Sequence, residues 1–81
     1  MNEAQFLAQK GSLNSLIADY LAQKDIDLTS KSNCIRLLAI LDKYTFNNRF
    51  EMKGLLSHTI VDSIELDYSI TEKFMYFDKH I

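Results

Sequence analysis

The densest run of apolar residues lies between Ser32 and Tyr44, where Arg36 is the only polar residue from Cys34 to Leu41. A helix with this pattern is apolar around most of its circumference, so it needs neighbours on several sides. Each large aliphatic side chain contributes roughly 1.5–3 kcal/mol when fully buried. The run is therefore the predicted centre of the core. Its helix is expected to end near residue 44 and to start at residues 30–33, with three competing N-cap candidates, Thr29, Ser30 and Ser32.

Weaker helical patterns precede this run. Asn2 and Gln5 match a capping box for a short helix, which Gly11 is expected to interrupt. A second helix then begins, with apolar side chains at i, i+3, i+4, i+7 and i+8: Leu13, Leu16, Ile17, Tyr20 and Leu21. One continuous helix is the alternative, because an internal glycine costs only about 1 kcal/mol. In the following turn, Ile26 and Leu28 are expected to pack against the core.

A third apolar helix is predicted after the central one. Asn48 and Glu51 match another capping box, and the apolar spacing continues from Arg49 to Ile64. Gly54 lies inside this pattern, where a missing side chain would let another helix approach closely. The short connection predicts an antiparallel hairpin with the central helix.

The last segment contains a cluster of aromatic residues. Ser69 and Glu72 match a capping box before a helix predicted over residues 70–79, although the aromatic run also suits a short strand. One helical face would carry Ile70, Phe74, Phe77 and Ile81. The tail either closes the bundle or binds a partner, because it has more apolar surface than one packing face needs. The candidate partner-binding residues are Phe74, Met75, Tyr76 and Phe77.

These elements predict one all-α domain over residues 1–81, a three- to four-helix unit around a central antiparallel helical hairpin. A chain of 81 residues buries only roughly 60–65% of the surface that its unfolded form exposes, so its stability is expected to be marginal. The single cysteine, Cys34, is expected to be buried and cannot form an internal disulfide, which leaves oligomerisation as the means of support. We therefore expect a homodimer whose shared core includes Leu37, Leu38, Leu41, Leu56 and Ile60.

The net charge and the absence of known motifs narrow the range of functions that the sequence predicts. Nine Lys and Arg residues against eleven Asp and Glu give a net charge of −2, which is not typical of a nucleic-acid-binding protein. No signal peptide or membrane span is apparent, so a reducing cytoplasm is the expected location. The sequence has no phosphate loop, nucleophile elbow or metal-ligand spacing, and Asp42 with His58 makes a poor acid–base pair without a cleft. We expect neither an enzyme nor a metal or cofactor.

The run Ile26 to Asp42 resembles the core of the small enterobacterial YmgB/AriR-type biofilm-development regulators. That family has a helix, a turn reading hydrophobic-x-Leu-Thr/Ser-x-Lys, a Leu/Ile-rich helix ending Leu-Glu, and a third amphipathic helix after a polar loop. The resemblance covers residues 12–65: residues 13–21 match the first helix, Leu28 and Lys31 the turn, and residues 52–64 the third helix. Leu37, Leu38 and Leu41 match the central helix. Asp42 stands where the family prefers Glu, and residues 66–81 lie beyond its usual end.

The resemblance implies a dimeric helical regulator in the cytoplasm, linked to biofilm formation, to acid or stress resistance and to an Rcs-type phosphorelay, with DNA binding also suggested for members. We therefore predict a small non-enzymatic regulator or adaptor that binds another protein. One alternative is a DNA-binding regulator, against which the acidic remainder of the chain argues. Its candidate phosphate contacts are Lys31, Arg36, Lys43, Arg49 and Lys53. The other alternative is an immunity- or antitoxin-type inhibitor, whose acidic bundle would cover a basic toxin surface.

Overall fold

A computed structural model describes all 81 residues as helices joined by short connections. Four helices of nine residues or more and a one-turn helix follow in chain order: α1 (Glu3–Leu21), α2 (Leu28–Asp42), α3 (Arg49–Met52), α4 (Leu55–Ser63) and α5 (Tyr68–Lys79). The all-α prediction is confirmed, and the aromatic tail is a helix rather than a strand.

The four longer helices form an up-and-down bundle in which α1 packs on α2 and α5, and α4 packs on the same two helices. Asn33 near the start of α2 donates a side-chain hydrogen bond to the carbonyl of Glu65, just beyond the end of α4. Tyr44, just after α2, accepts one from the Leu56 amide at the start of α4. The beginning of each helix therefore meets the end of the other, which confirms the predicted antiparallel hairpin.

The core consists of apolar side chains from every helix except α3. At its centre the ring of Phe6 lies 5.4 Å from that of Phe77 and 6.0 Å from that of Phe46, between centroids. The predicted face of the tail helix is confirmed, because all four of its residues are buried. The buried apolar residues are Phe6, Leu13, Ile17, Cys34, Leu37, Leu41, Tyr44, Leu56, Ile60, Ile64, Ile70, Phe74, Phe77 and Ile81.

Two predictions about the first half of the chain need correction. Helix α1 runs without a break through Gly11, as the alternative had it, from a capping box that joins Asn2 to Gln5. Helix α2 begins at Leu28 rather than at residues 30–33, because Asp27 is the N-cap and its carboxylate accepts from the Ser30 amide at 2.7 Å. This hydrogen bond lowers the pKa of Asp27. Leu28 is 80% exposed, so it does not pack against the core as expected.

Two predicted capping boxes are also wrong. The Asn48 side chain makes no capping bond to α3; it instead folds back on the preceding loop, where its carbonyl oxygen accepts from the Thr45 amide at 2.7 Å. Helix α5 begins at Tyr68, capped by Asp67, whose carboxylate accepts from the Ser69 amide at 3.2 Å. At α5 a side chain nearer the turn satisfies a free helix amide, whereas at α3 the Asn48 side chain satisfies a loop amide instead.

The predicted third helix is divided at Gly54. This residue has a φ of 98°, a left-handed conformation that costs glycine little and other residues roughly 1–2 kcal/mol. A Cβ on Gly54 would have no heavy atom within 4 Å, so close approach of another helix is not the reason for the glycine. The reason is the turn itself, which separates the single turn of α3 from α4.

Candidate protein-binding groove

A buried polar cluster joins the last helix to the break at Gly54. The Asp78 side chain is 1% exposed and accepts hydrogen bonds from the Gly54 amide at 2.9 Å and from the Ser57 amide at 3.0 Å. The same carboxylate accepts from the Tyr44 hydroxyl at 2.5 Å, and that hydroxyl accepts from the Leu56 amide at 3.0 Å. Asp78, on α5, therefore caps the start of α4, although the two lie far apart in the chain. The N-terminus of a helix favours a negative charge because its amides are free and its dipole is positive there.

Burial dominates the electrostatics of this cluster. Loss of solvent raises the pKa of Tyr44 well above its usual value of 10.0, and the hydrogen bond to the Asp78 carboxylate adds to the increase. The tyrosine is thus held in its neutral form as a donor. Burial also raises the pKa of Cys34, elsewhere in the core, so its thiol is kept protonated.

A groove of about 490 Å³ opens beside this cluster, between α5 and the α3–α4 break. Tyr68 and Tyr76, which are 73% and 59% exposed, lie on its α5 side together with half-buried Met75. The Tyr76 ring stacks on His80, with 4.0 Å between the ring centroids. The stacking orients the Tyr76 ring on the exposed face of α5.

Charged residues lie at separate points along the groove. Glu72 belongs to the first half of α5, whereas Lys79 lies at its C-terminal end and Lys53 at the α3–α4 break. Glu72 and Lys79 are seven positions apart, which corresponds to about 10 Å along the helix. The one salt bridge of the chain joins His58 to Asp62 at 2.9 Å, so neither lysine is paired. Along α5 the groove thus has Met75 and Tyr76 between an acidic residue, Glu72, and a basic end.

The candidate residues of the tail divide between the core and the groove. Phe74 and Phe77 are buried against the other helices, Met75 is half-buried, and Tyr76 is exposed. Tyr68 was not among the candidates, although its spacing of eight residues from Tyr76 places the two on one helical face. The cluster of Tyr44 and Asp78 was also missed, and no local pattern signals it because its members are distant in the chain.

The residues expected at a dimer interface lie inside the single chain. Leu37, Leu41 and Leu56 have no exposed surface, Ile60 is 7% exposed, and Leu38 is partly buried against the core. Neighbouring helices of the same chain cover them, because α1 and α5 close the bundle around the central hairpin. On α2, only the outer surface remains open to a second copy.

Two of the five candidate phosphate contacts make contacts within the chain. The Arg36 guanidinium donates to the Ser63 hydroxyl at 2.9 Å. That of Arg49 lies 3.6 Å from the Phe46 ring centroid and 4.3 Å from that of Phe50. The remaining three, Lys31, Lys43 and Lys53, are exposed and lie on different elements or connections. These contacts leave no cluster of free guanidinium groups for a nucleic-acid backbone.

Comparisons with models of protein families, with curated proteins and with solved structures found no match. The resemblance to the biofilm-development regulators accordingly stays a prediction. The chain holds no group of three potential metal-ligating side chains, and Asp42 and His58 lie on the exposed surfaces of separate helices. None of its helices has both the length and the apolar content needed to cross a bilayer.

Proposed function

We propose that this protein is a small non-enzymatic regulator, or adaptor, that acts in the cytoplasm by binding another protein. The observation that carries the proposal is the pair of exposed tyrosines, Tyr68 and Tyr76, on the wall of the groove. Tyrosine combines large contact area with little conformational entropy, and it is enriched at the energetic centres of protein interfaces. Together with half-buried Met75 they form an apolar surface of the kind that marks protein interaction sites.

The positions of the charged residues in the groove indicate what kind of partner segment would fit it. A partner helix or strand with an apolar centre would cover Met75 and Tyr76. An acidic group at one end would meet Lys53 and Lys79, and a basic group about 10 Å away would meet Glu72. The biological setting within the proposal, biofilm development with acid and stress responses, rests on the resemblance of residues 26–42 to the regulator family.

Site-specific photo-crosslinking in the native host tests this proposal. A photoreactive phenylalanine analogue replaces Tyr76 in one protein and Val61 in a control. Val61 is well exposed too, at 73%, but lies on α4 outside the groove. We expect an adduct with one protein from position 76 alone, lost when Lys79→Glu is added and kept with Lys24→Glu. Identical adducts from both positions, or none from position 76, would overturn the proposal.

We also propose that the regulator is a homodimer. The exposed apolar side chains Leu28 and Ile35 on the outer surface of α2, 80% and 60% exposed, support it. Sedimentation equilibrium from low to tens of micromolar protein is expected to show a monomer–dimer equilibrium, and Ile35→Asp is expected to shift it to monomer. A wild-type chain that stays monomeric across this range would contradict the dimer without bearing on the groove.

A further inference from the structure

The break between α3 and α4 leaves backbone groups on both sides of it without helical partners. In one continuous helix the amides of residues 54–57 would donate to the carbonyls of residues 50–53, each four positions earlier. In the structure none of these carbonyls accepts a hydrogen bond from a backbone amide. Three of the amides donate instead to two side chains that lie outside both helices. They are the amides of Gly54 and Ser57, bonded to Asp78, and that of Leu56, bonded to Tyr44.

The sequence around the break is compatible with one continuous helix. Met52, Leu56 and Ile60 follow one another at steps of four residues and would form one apolar row, and neither helix has a local side-chain cap. Gly54 suits both arrangements, because glycine adopts a φ of 98° and helical angles alike. Lys53, with a ψ of 128°, precedes it in an extended conformation. Rotation at these two residues therefore separates the broken form from the continuous one.

Helix α3 has few contacts of its own with the core. None of its residues is buried, Phe50 is 67% exposed, and Met52 is partly buried against the core. The Arg49 guanidinium lies over the rings of Phe46 and Phe50 and donates to the Phe46 carbonyl, so it joins α3 to the adjacent loop. A change in the direction of α3 would thus disturb little of the packing between the four longer helices.

We propose that Asp78 and Tyr44 form a latch that keeps α3 and α4 apart, and that release of the last turn of α5 lets residues 49–63 form one continuous helix. The amides of residues 54–57 then pair with the carbonyls of residues 50–53, so the amides that the latch gives up keep a hydrogen bond. Helix ends open at lower free energy than the middle of a fold, and Asp78 lies one residue before the end of α5.

The latch controls whether the groove is present. Lys53 and Gly54 contribute to one side of the groove, and the last turns of α5, with Tyr76 and Lys79, contribute to the other. Straightening of the chain at Gly54 changes the direction of α3 and moves Lys53, so the latched form alone has both sides in place. The inference rests on the proposed function for this consequence, and it deepens that function by making partner capture depend on the latch.

The direction in which one substitution shifts the melting temperature tests the latch. In the wild-type chain, Gly54→Ala is expected to lower the melting temperature by about 5–15 °C, because alanine is unfavourable at a positive φ. In an Asp78→Ala chain the same substitution is expected to raise it by about 2–8 °C, because a continuous helix favours alanine over glycine. Gly11→Ala, inside α1, is the matched control and is expected to raise the melting temperature equally in both chains.

A loss from Gly54→Ala that is the same with and without Asp78 would overturn the latch, since the break would then persist on its own. Asp78→Asn, whose amide oxygen still accepts a hydrogen bond, replaces Asp78→Ala if that chain does not fold. In the Asp78→Asn chain the loss from Gly54→Ala is expected to be smaller than in wild type, and an undiminished loss would equally overturn the latch.

The carbon-13 chemical shift of the Lys53 Cα reports the backbone at the break directly. It is expected to move from an extended towards a helical value when Asp78 is replaced, and an unchanged shift would contradict the continuous helix. Neither measurement needs a partner. Their failure would therefore leave the protein-binding function standing, whereas a missing adduct from position 76 would overturn that function and leave the latch standing.

Discussion

The Tyr44 hydroxyl and the Asp78 carboxylate are joined by a buried hydrogen bond of 2.5 Å across 34 residues of chain. The bond links the end of the central helix to the end of the last one. Through the amides of Gly54 and Ser57, Asp78 also holds the start of α4. One carboxylate thus connects three parts of the bundle and forms the floor of the groove.

Replacing Asp78 with asparagine is expected to lower the free energy of unfolding by about 1–3 kcal/mol, because an amide nitrogen would face backbone N–H groups and leave one unpaired. Urea denaturation measures the loss. Asp67→Asn is the matched control: Asp67 is an exposed N-cap, where asparagine serves as well as aspartate. Equal stability of the two variants would show that the buried cluster contributes nothing beyond an ordinary cap.

The periodic part of this fold follows from the sequence, whereas the cluster does not. Spacing alone predicts the buried faces that carry Leu13 and Ile17 in α1 and Phe74 and Phe77 in α5. Asp78 lies between an apolar residue and a lysine and has the pattern of a surface residue; its burial depends on helix α4, 21 to 24 residues earlier. Long-range capping of this kind has no local signature.

Local capping was ambiguous for a different reason. Thr29, Ser30 and Ser32 are all good N-cap residues, yet Asp27 caps α2 and leaves them in its first turns. The choice depends on where Ile26 meets the core, which spacing along one helix does not fix. The groove was half predictable: the tail's excess of aromatic residues was evident, but Tyr68 lay outside the predicted helix.

Alkaline pH is expected to weaken the protein through Tyr44. Its pKa is raised in the folded state above the usual 10.0, so the stability it contributes is present below about pH 10 and is lost as the unfolded chain ionises at higher pH. Tyr44→Phe is expected to be about 1–3 kcal/mol less stable than wild type at neutral pH, because the Leu56 amide loses its acceptor. The difference should shrink as pH rises above 10.

Urea unfolding of both proteins from pH 8 to pH 11 measures this difference. Lysines and the other tyrosines are common to the two proteins, so subtraction removes their contribution. A difference in stability that stays constant over the whole range would contradict the raised pKa of Tyr44.

Replacing each of the two glycines with alanine is expected to change the stability of the protein in opposite directions. At Gly54 the φ of 98° makes alanine unfavourable by roughly 1–2 kcal/mol, although no atom obstructs its Cβ. At Gly11, inside α1 and equally unobstructed, alanine is expected to stabilise by about 0.5–1 kcal/mol through its better helix propensity. Thermal unfolding reports both, at about 4–8 °C per kcal/mol for a domain of this size. A rise in melting temperature for Gly54→Ala would show that the break between α3 and α4 is not required.

Substitutions at two adjacent aromatic residues, Phe77 and Tyr76, are expected to distinguish a role in packing from a role in partner binding. Phe77 is 1% exposed and its ring contacts those of Phe6 and Tyr44, so Phe77→Ala is expected to cost about 3–5 kcal/mol and to unfold much of the protein. Tyr76 is 59% exposed, so Tyr76→Ala is expected to change stability by less than about 1 kcal/mol while weakening partner capture in the groove. Urea denaturation and affinity capture of the crosslinked partner measure the two effects on the same proteins. A Tyr76→Ala protein that captures the partner as well as wild type would remove this residue from the binding surface, whereas a large loss of stability would assign its role to packing.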